Sequence, residues 1–371
     1  METEMGYRGS KSVLLSGDST VKEQRVDGSW QLLNCKSLRC TLMGFERNYQ
    51  IRIPSNKLDK KIRFYSTTRH IINQTNLNPW FLTGFIDGEG CFRIALTKIN
   101  REIGWRVQLF FQINLHDKDR ALLESIKNFL GVGQIHVSGK NLIQYRIQVL
   151  DEITVLLKHL DKYPLITKKK ADYLLFKAAY ELIKLKEHLT KDGLLKIASL
   201  KASLNLGLSE QLKVAFPNII PAIRNTDYSI SIPSCNWLSG FVTAEGCFMV
   251  GFSKSKTFTG YQIYLSLFIT QHIRDELLME SLIGYLGCGK LTRKRDTYEF
   301  QVFKFIDITD KVIVFFEKYP ILGDKAKDFA DFCYVADLMK NKVHLTVEGA
   351  AKIQKIKEGM NKGRQSIGQI E

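Results

Sequence analysis

Three absences narrow the reading before any motif does. No apolar run approaches the roughly 18 residues that a membrane-spanning helix requires. The strongest stretch, Val312–Phe316, is far too short. Cysteines are few: seven in 371 residues (Cys35, Cys40, Cys91, Cys235, Cys247, Cys288 and Cys333), with no Cys-x-x-Cys pair. An odd count without that spacing excludes a disulfide scaffold and a zinc ribbon, and it fits a reducing compartment. Cys35 and Cys40 have no paired histidines beside them to complete a metal site. No Gly-x-x-x-x-Gly-Lys-Ser/Thr loop occurs, which removes ATP use and any nucleotide cofactor. The short Gly88-Glu89-Gly90 segment falls at the end of a predicted helix, whereas a dinucleotide loop would open one. Acidic side chains are also in deficit, 38 Asp plus Glu against 54 Lys plus Arg, for a formal charge of +16. Such a surplus repels itself unless a polyanion offsets it, so nucleic acid is the first partner to consider and a membrane surface the second.

Against these absences stands a hydrophobic fraction of 44%, enough for a packed core. The length suggests roughly two domains and an extension. An internal repeat of long period gives that organisation a concrete form. Gly84-Phe85-Ile86-Asp87-Gly88-Glu89-Gly90-Cys91-Phe92 recurs as Gly240-Phe241-Val242-Thr243-Ala244-Glu245-Gly246-Cys247-Phe248, an offset of 156. Gly131-Val132-Gly133 and Gly287-Cys288-Gly289 share the offset, as do Lys162-Tyr163-Pro164 and Lys318-Tyr319-Pro320. In one hairpin, Tyr145-Arg146-Ile147-Gln148-Val149 aligns with Tyr298-Glu299-Phe300-Gln301-Val302 at an offset of 153, which reads as a three-residue deletion in the second copy. Duplication and divergence is the simplest account.

The repeat divides the chain into an N-terminal extension at 1–73, partly disordered and arginine-bearing near its end, a first domain at 74–207, and a linker at 208–229. The second domain spans 230–363 and a short tail follows at 364–371. Pro217, Asn218, Pro221 and Asn225 mark the linker. Within a copy the expected order is helix, two strands, helix, two strands, helix. Asn78 before Pro79, and Ser234 in the equivalent place, suit helix N-caps. The strands alternate with period two. Val107, Leu109, Phe111, Ile113 and Leu115 share one face, and Arg106, Gln108, Phe110, Gln112 and Asn114 the other. In the second copy Ile263, Leu265, Leu267 and Ile269 oppose Gln262, Tyr264, Ser266, Phe268 and Thr270. One face of each sheet should pack on helices. The other carries the long polar side chains that reading base edges requires. Amphipathic helices are expected at Asp119–Leu130 and Asp275–Leu286, and long final helices from near Lys169 and Lys325.

The glycine-rich segments carry the chemistry. Glycine inside a helix costs about 1 kcal/mol relative to alanine, yet Gly84 and Gly88 stand four apart, as do Gly240 and Ala244. Small residues at that spacing let two helix backbones approach closely, so the two motif helices should pack on each other, with Leu82, Phe85 and Ile86 facing their own core. The last acids, Glu89 and Glu245, would then meet at one edge of that interface. Two carboxylates at close range call for a cation. Hard divalent ions take one or two carboxylates together with phosphate oxygens, and such ions activate water for in-line attack on a phosphodiester.

Both segments resemble the LAGLIDADG signature of homing endonucleases in its single-chain, two-motif form, and the resemblance covers the chain from about residue 74 onward. What it implies is an α+β protein of two tandem pseudo-symmetric αββαββα domains, forming antiparallel β-sheet saddles packed through the two motif helices. It implies a monomer that grips a long double-stranded DNA target, the intronless allele, and cuts both strands with Mg2+ (or Mn2+ in its place), leaving 3′ overhangs. The signature's final acid falls on Glu89 and Glu245 as metal ligands, assisted by the backbone carbonyls of Gly88 and Ala244. Its earlier acidic position falls on Asp87 and Thr243, so it cannot be required in both halves. Lys169 and Lys325 stand where the family often has a basic residue that orders water at the scissile phosphate. Gln112 resembles a family glutamine of the solvent network, although its partner is Phe268. For DNA contact the candidates are Arg93, Gln108, Gln144, Arg146, Gln148, Lys254, Lys256, Arg293, Lys294, Arg295 and Gln301: Arg and Gln for base edges, Lys for phosphates. The leader, with Val21 to Trp30 and Arg63 to Thr67, looks like those of fungal mitochondrial intron-encoded members, which implies a mitochondrial, organelle-encoded origin. Scattered histidines exclude a His-Asn-His nuclease. The alternative within the family is a maturase that binds its host group I intron RNA, alone or as a second activity. A DNA-binding protein without cleavage would leave two matched acids without a task.

Overall fold

The computed structural model describes residues 77–100, 103–225 and 230–364. The extension at 1–73, Cys35, Cys40 and the tail after Arg364 lie outside the described residues. The first half opens with α1 (Pro79–Glu89), followed by β1 (Gly90–Lys98), β2 (Trp105–His116), α2 (Arg120–Leu130), β3 (Gln134–Gly139), β4 (Leu142–Ile147) and α3 (Leu150–Lys162). That αββαββα series continues into α4 (Lys169–Lys184) and α5 (Lys191–Ser203). A short helix, α6 (Glu210–Ala215), stands in the segment read as linker, and its Leu212, with Phe216, is buried against Leu194 and Ala198. The second half repeats the plan: α7 (Cys235–Glu245), β5 (Gly246–Lys254), β6 (Tyr261–His272), α8 (Glu276–Leu286), β7 (Lys290–Lys294) and β8 (Thr297–Val302). A helical run follows, made of α9 (Phe305–Asp307), a π-helical Ile308–Ile313 and α10 (Val314–Lys318), then α11 (Lys325–Lys340) and α12 (Val347–Glu358). Each half holds one antiparallel four-stranded sheet, in the orders β1-β2-β4-β3 and β5-β6-β8-β7.

Local chemistry sets the helix ends. Asn78 Oδ1 accepts from the Trp80 N–H at 2.9 Å and Pro79 takes the first helical position, while the Ser234 side chain accepts from Asn236 N–H at 3.2 Å. Both satisfy donors that a helix start leaves without an intrahelical partner. α2 and α8 end on Gly131 and Gly287, at φ of 72° and 64°. α1 and α7 are not amphipathic. Phe81–Asp87 and Trp237–Thr243 are buried all round, because one side of each helix faces its own core and the other faces its counterpart. Leu82, Phe85 and Ile86 lie in the first core beneath β1, β2 and β4; Leu238, Phe241 and Val242 lie in the second.

The glycines explain how close the two helices come. A Cβ on Gly84 would sit 2.0 Å from the Trp237 carbonyl oxygen, and one on Gly240 would sit 2.0 Å from the Phe81 carbonyl oxygen. Each glycine is thus a seat for the other helix's backbone.

One alignment from the sequence needs correction. The ladders pair Ile113 with Tyr145 and Ile269 with Phe300, and likewise Phe111 with Ile147 and Leu267 with Val302. Tyr145 is therefore equivalent to Phe300 and not to Tyr298, an offset of 155, so the second hairpin is one residue shorter rather than three. The extra residue is Ser138, at the register shift between Val137 and Gly139 in β3; β7 pairs without a shift. The shared Tyr-x-x-Gln-Val letters misled because 153 and 155 have the same parity. Either offset keeps core residues on the core face.

His159 of α3 supplies a pH test of this packing. Its Nε2 lies 3.2 Å from Thr83 Oγ1, and its ring packs on Phe129 and Tyr163. Burial lowers its pKa from the ordinary 6.5 to about 4. The unfolded ring takes a proton below pH 6.5 and the folded ring only near 4. The stability carried by the neutral ring is therefore complete above pH 6.5 and is lost as the pH falls towards 4, on the order of 2 to 3 kcal/mol. In denaturant titrations, the wild type should lose that much more stability over the window than His159→Gln; parallel curves would contradict the assignment.

Candidate active site

Glu89 and Glu245 are the last residues of α1 and α7, one per half, at the same end of the helix pair. The helices are still in close contact one residue earlier. A Cβ on Gly88 would lie 2.2 Å from the Ala244 Cβ and 3.2 Å from the Glu245 Cγ. Burial raises the pKa of Glu89, and the negative charge of Glu245 adds to it, while the cations of Lys169 and Lys325 oppose both.

Those lysines open α4 and α11 and reach back to the helix ends. Lys169 Nζ donates to the Gly88 carbonyl at 2.6 Å and the Ile86 carbonyl at 3.1 Å. Lys325 Nζ donates to the Ala244 carbonyl at 2.8 Å and the Val242 carbonyl at 3.3 Å. The last turn of a helix carries its negative end, so an ammonium is well placed there; the Ile86 and Val242 carbonyls also accept from the Gly90 and Gly246 amides. Burial lowers the pKa of both lysines, partly offset by neighbouring carboxylates: Asp87, Glu245 and Glu89 for Lys169, and Glu245 and Glu89 for Lys325. Two carboxylates and two ammonium groups thus form one compact, charge-balanced cluster.

Asp87, two residues before Glu89, does something different. Its carboxylate is buried and accepts from Ile166 N–H (3.1 Å), Thr167 N–H (3.2 Å), Thr167 Oγ1–H (2.6 Å) and, across the interface, Trp237 Nε1–H (2.8 Å). Burial raises its pKa to about 6, against the pull of these four donors. In the second half Thr243 Oγ1 accepts from Leu322 N–H at 3.3 Å and donates to the Ser239 carbonyl at 2.8 Å. The position ties the motif helix to the segment before each lysine, and a hydroxyl suffices in one half where a carboxylate serves in the other.

Seven of the eleven polar candidates fall on the faces turned away from the helices. Arg93, Gln108, Gln144 and Arg146 alternate onto that face of the first sheet, and Gln148 continues the alternation just past β4. Lys294 and Gln301 do so in the second. Gln144 and Gln301 are buried within it: Gln144 donates to Asn114 at 2.7 Å and accepts from Arg146 Nε, while Gln301 donates to Glu299. Arg93 and Arg146 flank the ring of Phe110, at 6.0 and 5.5 Å from its centroid. Lys254 and Arg293 alternate to the helix side of their strands, where they pair with Tyr261 and Tyr298. Lys256 lies beyond β5, and Arg295 sits in the β7–β8 turn at φ 51°. Gln112 lies beside Cys91 in the ladder, and its counterpart Phe268 packs edge-on against Phe303. Alternation along β7 also finds Lys290, absent from the sequence-derived candidates; it is exposed on the same polar face as Lys294, at the other end of the strand.

Comparison with known proteins decides the family. The LAGLIDADG endonuclease signature matches residues 82–180 and again 238–336, one match per half. The chain belongs to the LAGLIDADG endonucleases. A probable intron-encoded endonuclease of Neurospora crassa is 42% identical over 376 aligned residues, covering 95% of this chain and 69% of that protein. A second from the same fungus is 38% identical, covering 76% of this chain and 65% of its own length. The chain thus spans about two thirds of these relatives. Among solved structures, the LAGLIDADG meganuclease I-AabMI bound to uncleaved DNA is 64% identical, with a TM-score of 0.73 over 77% of this chain and 100% of that one. The homing endonuclease I-SmaMI bound to cleaved DNA is 46% identical, with a TM-score of 0.77 over 78% of this chain and 99% of that one. The LAGLIDADG chain described here shares their architecture of two four-stranded antiparallel sheets joined through paired helices.

Proposed function

We propose that this LAGLIDADG endonuclease is a homing enzyme that lays its two sheets along one long duplex site and cuts both strands with a divalent metal, Mg2+ with Mn2+ as substitute, leaving 3′ overhangs in an intronless allele. The observation that carries the proposal is the cluster at the helix ends: one carboxylate and one lysine from each half, beside the contact of Gly88 with Ala244. Its donors suit a hard cation. The carboxylates of Glu89 and Glu245 and the carbonyls of Gly88 and Ala244 are all oxygen, and a protein that supplies two carboxylates leaves the remaining positions for water and phosphate. When bound, the ion supplies Lewis acidity and an activated water.

The chain's own residues do the rest. Glu89 and Glu245 hold the negative charge that recruits the cation. Lys169 and Lys325 now donate to the carbonyls of Gly88 and Ala244, and each can turn one N–H towards a phosphate oxygen, stabilising charge as it develops there. Gln112 serves the water network of one half, and Phe268 leaves the other half to solve the same problem differently. Arg93, Gln108, Gln148 and Arg146, the last held by Gln144, with Lys294, face base edges, while the buried Gln301 holds Glu299 on the same face. Lys254, Lys256, Arg293 and Arg295 at strand ends and turns hold phosphates. Two motifs in one chain complete the site without a second copy, so the working unit is a monomer. The fungal relatives named as intron-encoded endonucleases, one fragment-length match being a protein of the Podospora anserina ND4 intron 1, support a mitochondrial origin.

Lys169→Met should slow cleavage about 100-fold while DNA affinity changes little, because one ammonium is a small part of the basic surface. Single-turnover rates and a binding titration on the same duplex check this. Unchanged rates would remove the lysine from the site. Run-off sequencing of both cut ends tests the polarity of the overhang.

A further inference from the structure

The segments before the two lysines cross the interface. Ile166, three residues before Lys169, is buried in the core of the second half, and Leu322, three before Lys325, packs against the core of the first. Each segment is then held by an aspartate of the opposite half. Asp275 Oδ1 accepts from Lys168 N–H at 2.7 Å, and Asp119 Oδ1 accepts from Asp324 N–H at 2.7 Å. The two contacts are equivalent under the repeat, since Asp119 corresponds to Asp275 and Lys168 to Asp324. Neither aspartate is among the proposed metal ligands: they are the residues immediately before α2 and α8, just past the ends of β2 and β6, and close enough that the charge of Asp119 is felt at Glu89 and Lys325. The Asp119 contact is also tight, because a Cβ on Gly323 would meet Asp119 Oδ1 at 2.4 Å.

We infer that Asp119 and Asp275 are positioning residues for the reaction: each half's active-site lysine is set in place by a carboxylate of the other half, so the two strand cuts depend on each other's domain. The amide each carboxylate accepts belongs to the residue directly before the lysine, at the first turn of its helix. An anion there both satisfies a donor that has no intrahelical partner and favours the helix start. Losing it frees the first turn of α4 or α11, and with it the direction from which Lys169 or Lys325 approaches its carbonyls and the phosphate. A displacement of about 1 Å in a catalytic group suffices to slow a reaction markedly. The dependence runs crosswise: Asp275 governs Lys169, and Asp119 governs Lys325.

This inference rests on the proposed role of the lysines, and the experiment keeps the two apart. A duplex target carrying a different fluorophore on each strand is cut under single-turnover conditions by wild type, Lys169→Met, Asp275→Ala, Asp275→Asn and Asp119→Ala. Amide exchange of Lys168 and Asp324 is measured on the same proteins without metal. Lys169→Met names the strand that depends on Lys169; if it slows both strands equally or neither, the reading of the lysines fails. With that control biased, Asp275→Ala should slow the same strand about tenfold more than the other, with exchange at Lys168 rising about tenfold or more and substrate affinity unchanged. Asp119→Ala should slow the opposite strand and expose Asp324. Asp275→Asn keeps an acceptor oxygen and should restore most of the rate. Asp119 is less buried than Asp275, so Asp119→Ala carries the test if Asp275→Ala fails to fold. Equal slowing of both strands, or a strand bias without faster exchange at the opposing lysine segment, would overturn the inference.

Discussion

Glu89→Gln and Glu245→Gln should each lower double-strand cleavage by about a thousandfold or more while leaving duplex affinity within about threefold of wild type. Glutamine keeps the volume and one carbonyl oxygen but removes the charge. In the cluster that change has a particular consequence. Glu89 and Glu245 now offset part of the charge of Lys169 and Lys325; with one of them gone, the balance shifts towards the ammonium groups and a dication is held less well. The effect on DNA contact is small because the polar faces lie along the sheets, away from the helix ends. Supercoiled plasmid carrying the target distinguishes the outcomes: the variants should bind it and leave it uncut on both strands, and linearisation at near wild-type rate by either variant would remove that acid from the site.

The second large effect concerns the seam. Gly84→Ala adds one methyl group at a point where its carbon would lie 2.0 Å from the Trp237 carbonyl oxygen and 3.0 Å from the Phe241 nitrogen. Both are backbone atoms, so no side chain can rotate aside. The helices must separate, and separation disrupts the Asp87–Trp237 hydrogen bond and the seats on both sides. Overpacking of this kind costs about 3 kcal/mol or more, enough to lower the melting temperature by roughly 5 °C in a protein of this size. Gly240→Ala should match it, since its methyl group would meet the Phe81 carbonyl oxygen at the same separation. Gly104→Ala and Gly260→Ala serve as controls: they lie at positive φ in loops with open space around them, and only the modest cost of the backbone conformation should appear. Equal melting temperatures across the four variants would contradict close helix packing.

Sequence alone made the duplicated motif, the helix caps and the alternation of the strands readable, because each depends on near neighbours in the chain. Asn78 and Ser234 announce helix starts, and Val107 to Leu115 declare a face. The pairing of α1 with α7 was also legible, through small residues at a spacing that a solitary helix has no reason to keep. Contacts that join distant segments were not. Asp119 reaches Asp324 and Asp275 reaches Lys168 through single backbone amides, and nothing local to any of these residues marks such a contact. Asp87 looked like a dispensable acid because Thr243 replaces it; only the fold reveals that both hold the same segment by different chemistry. The hairpin offset failed for another reason. A two-residue slip preserves the core face, so the hydrophobic pattern could not correct a chance match of letters, and the bulge at Ser138 has no strong sequence mark. Lys254 and Arg293 were chosen for their charge, and they alternate to the helix side of their strands, a placement that charge alone does not reveal.

The most direct test of the central claim is cleavage of the intronless host locus, cloned in a plasmid, by the purified full chain with and without Mg2+. The account predicts linearisation at one site, strictly dependent on the added metal and absent in Glu89→Gln. Tight binding to the host intron RNA with no cutting of that DNA at any metal concentration would contradict it.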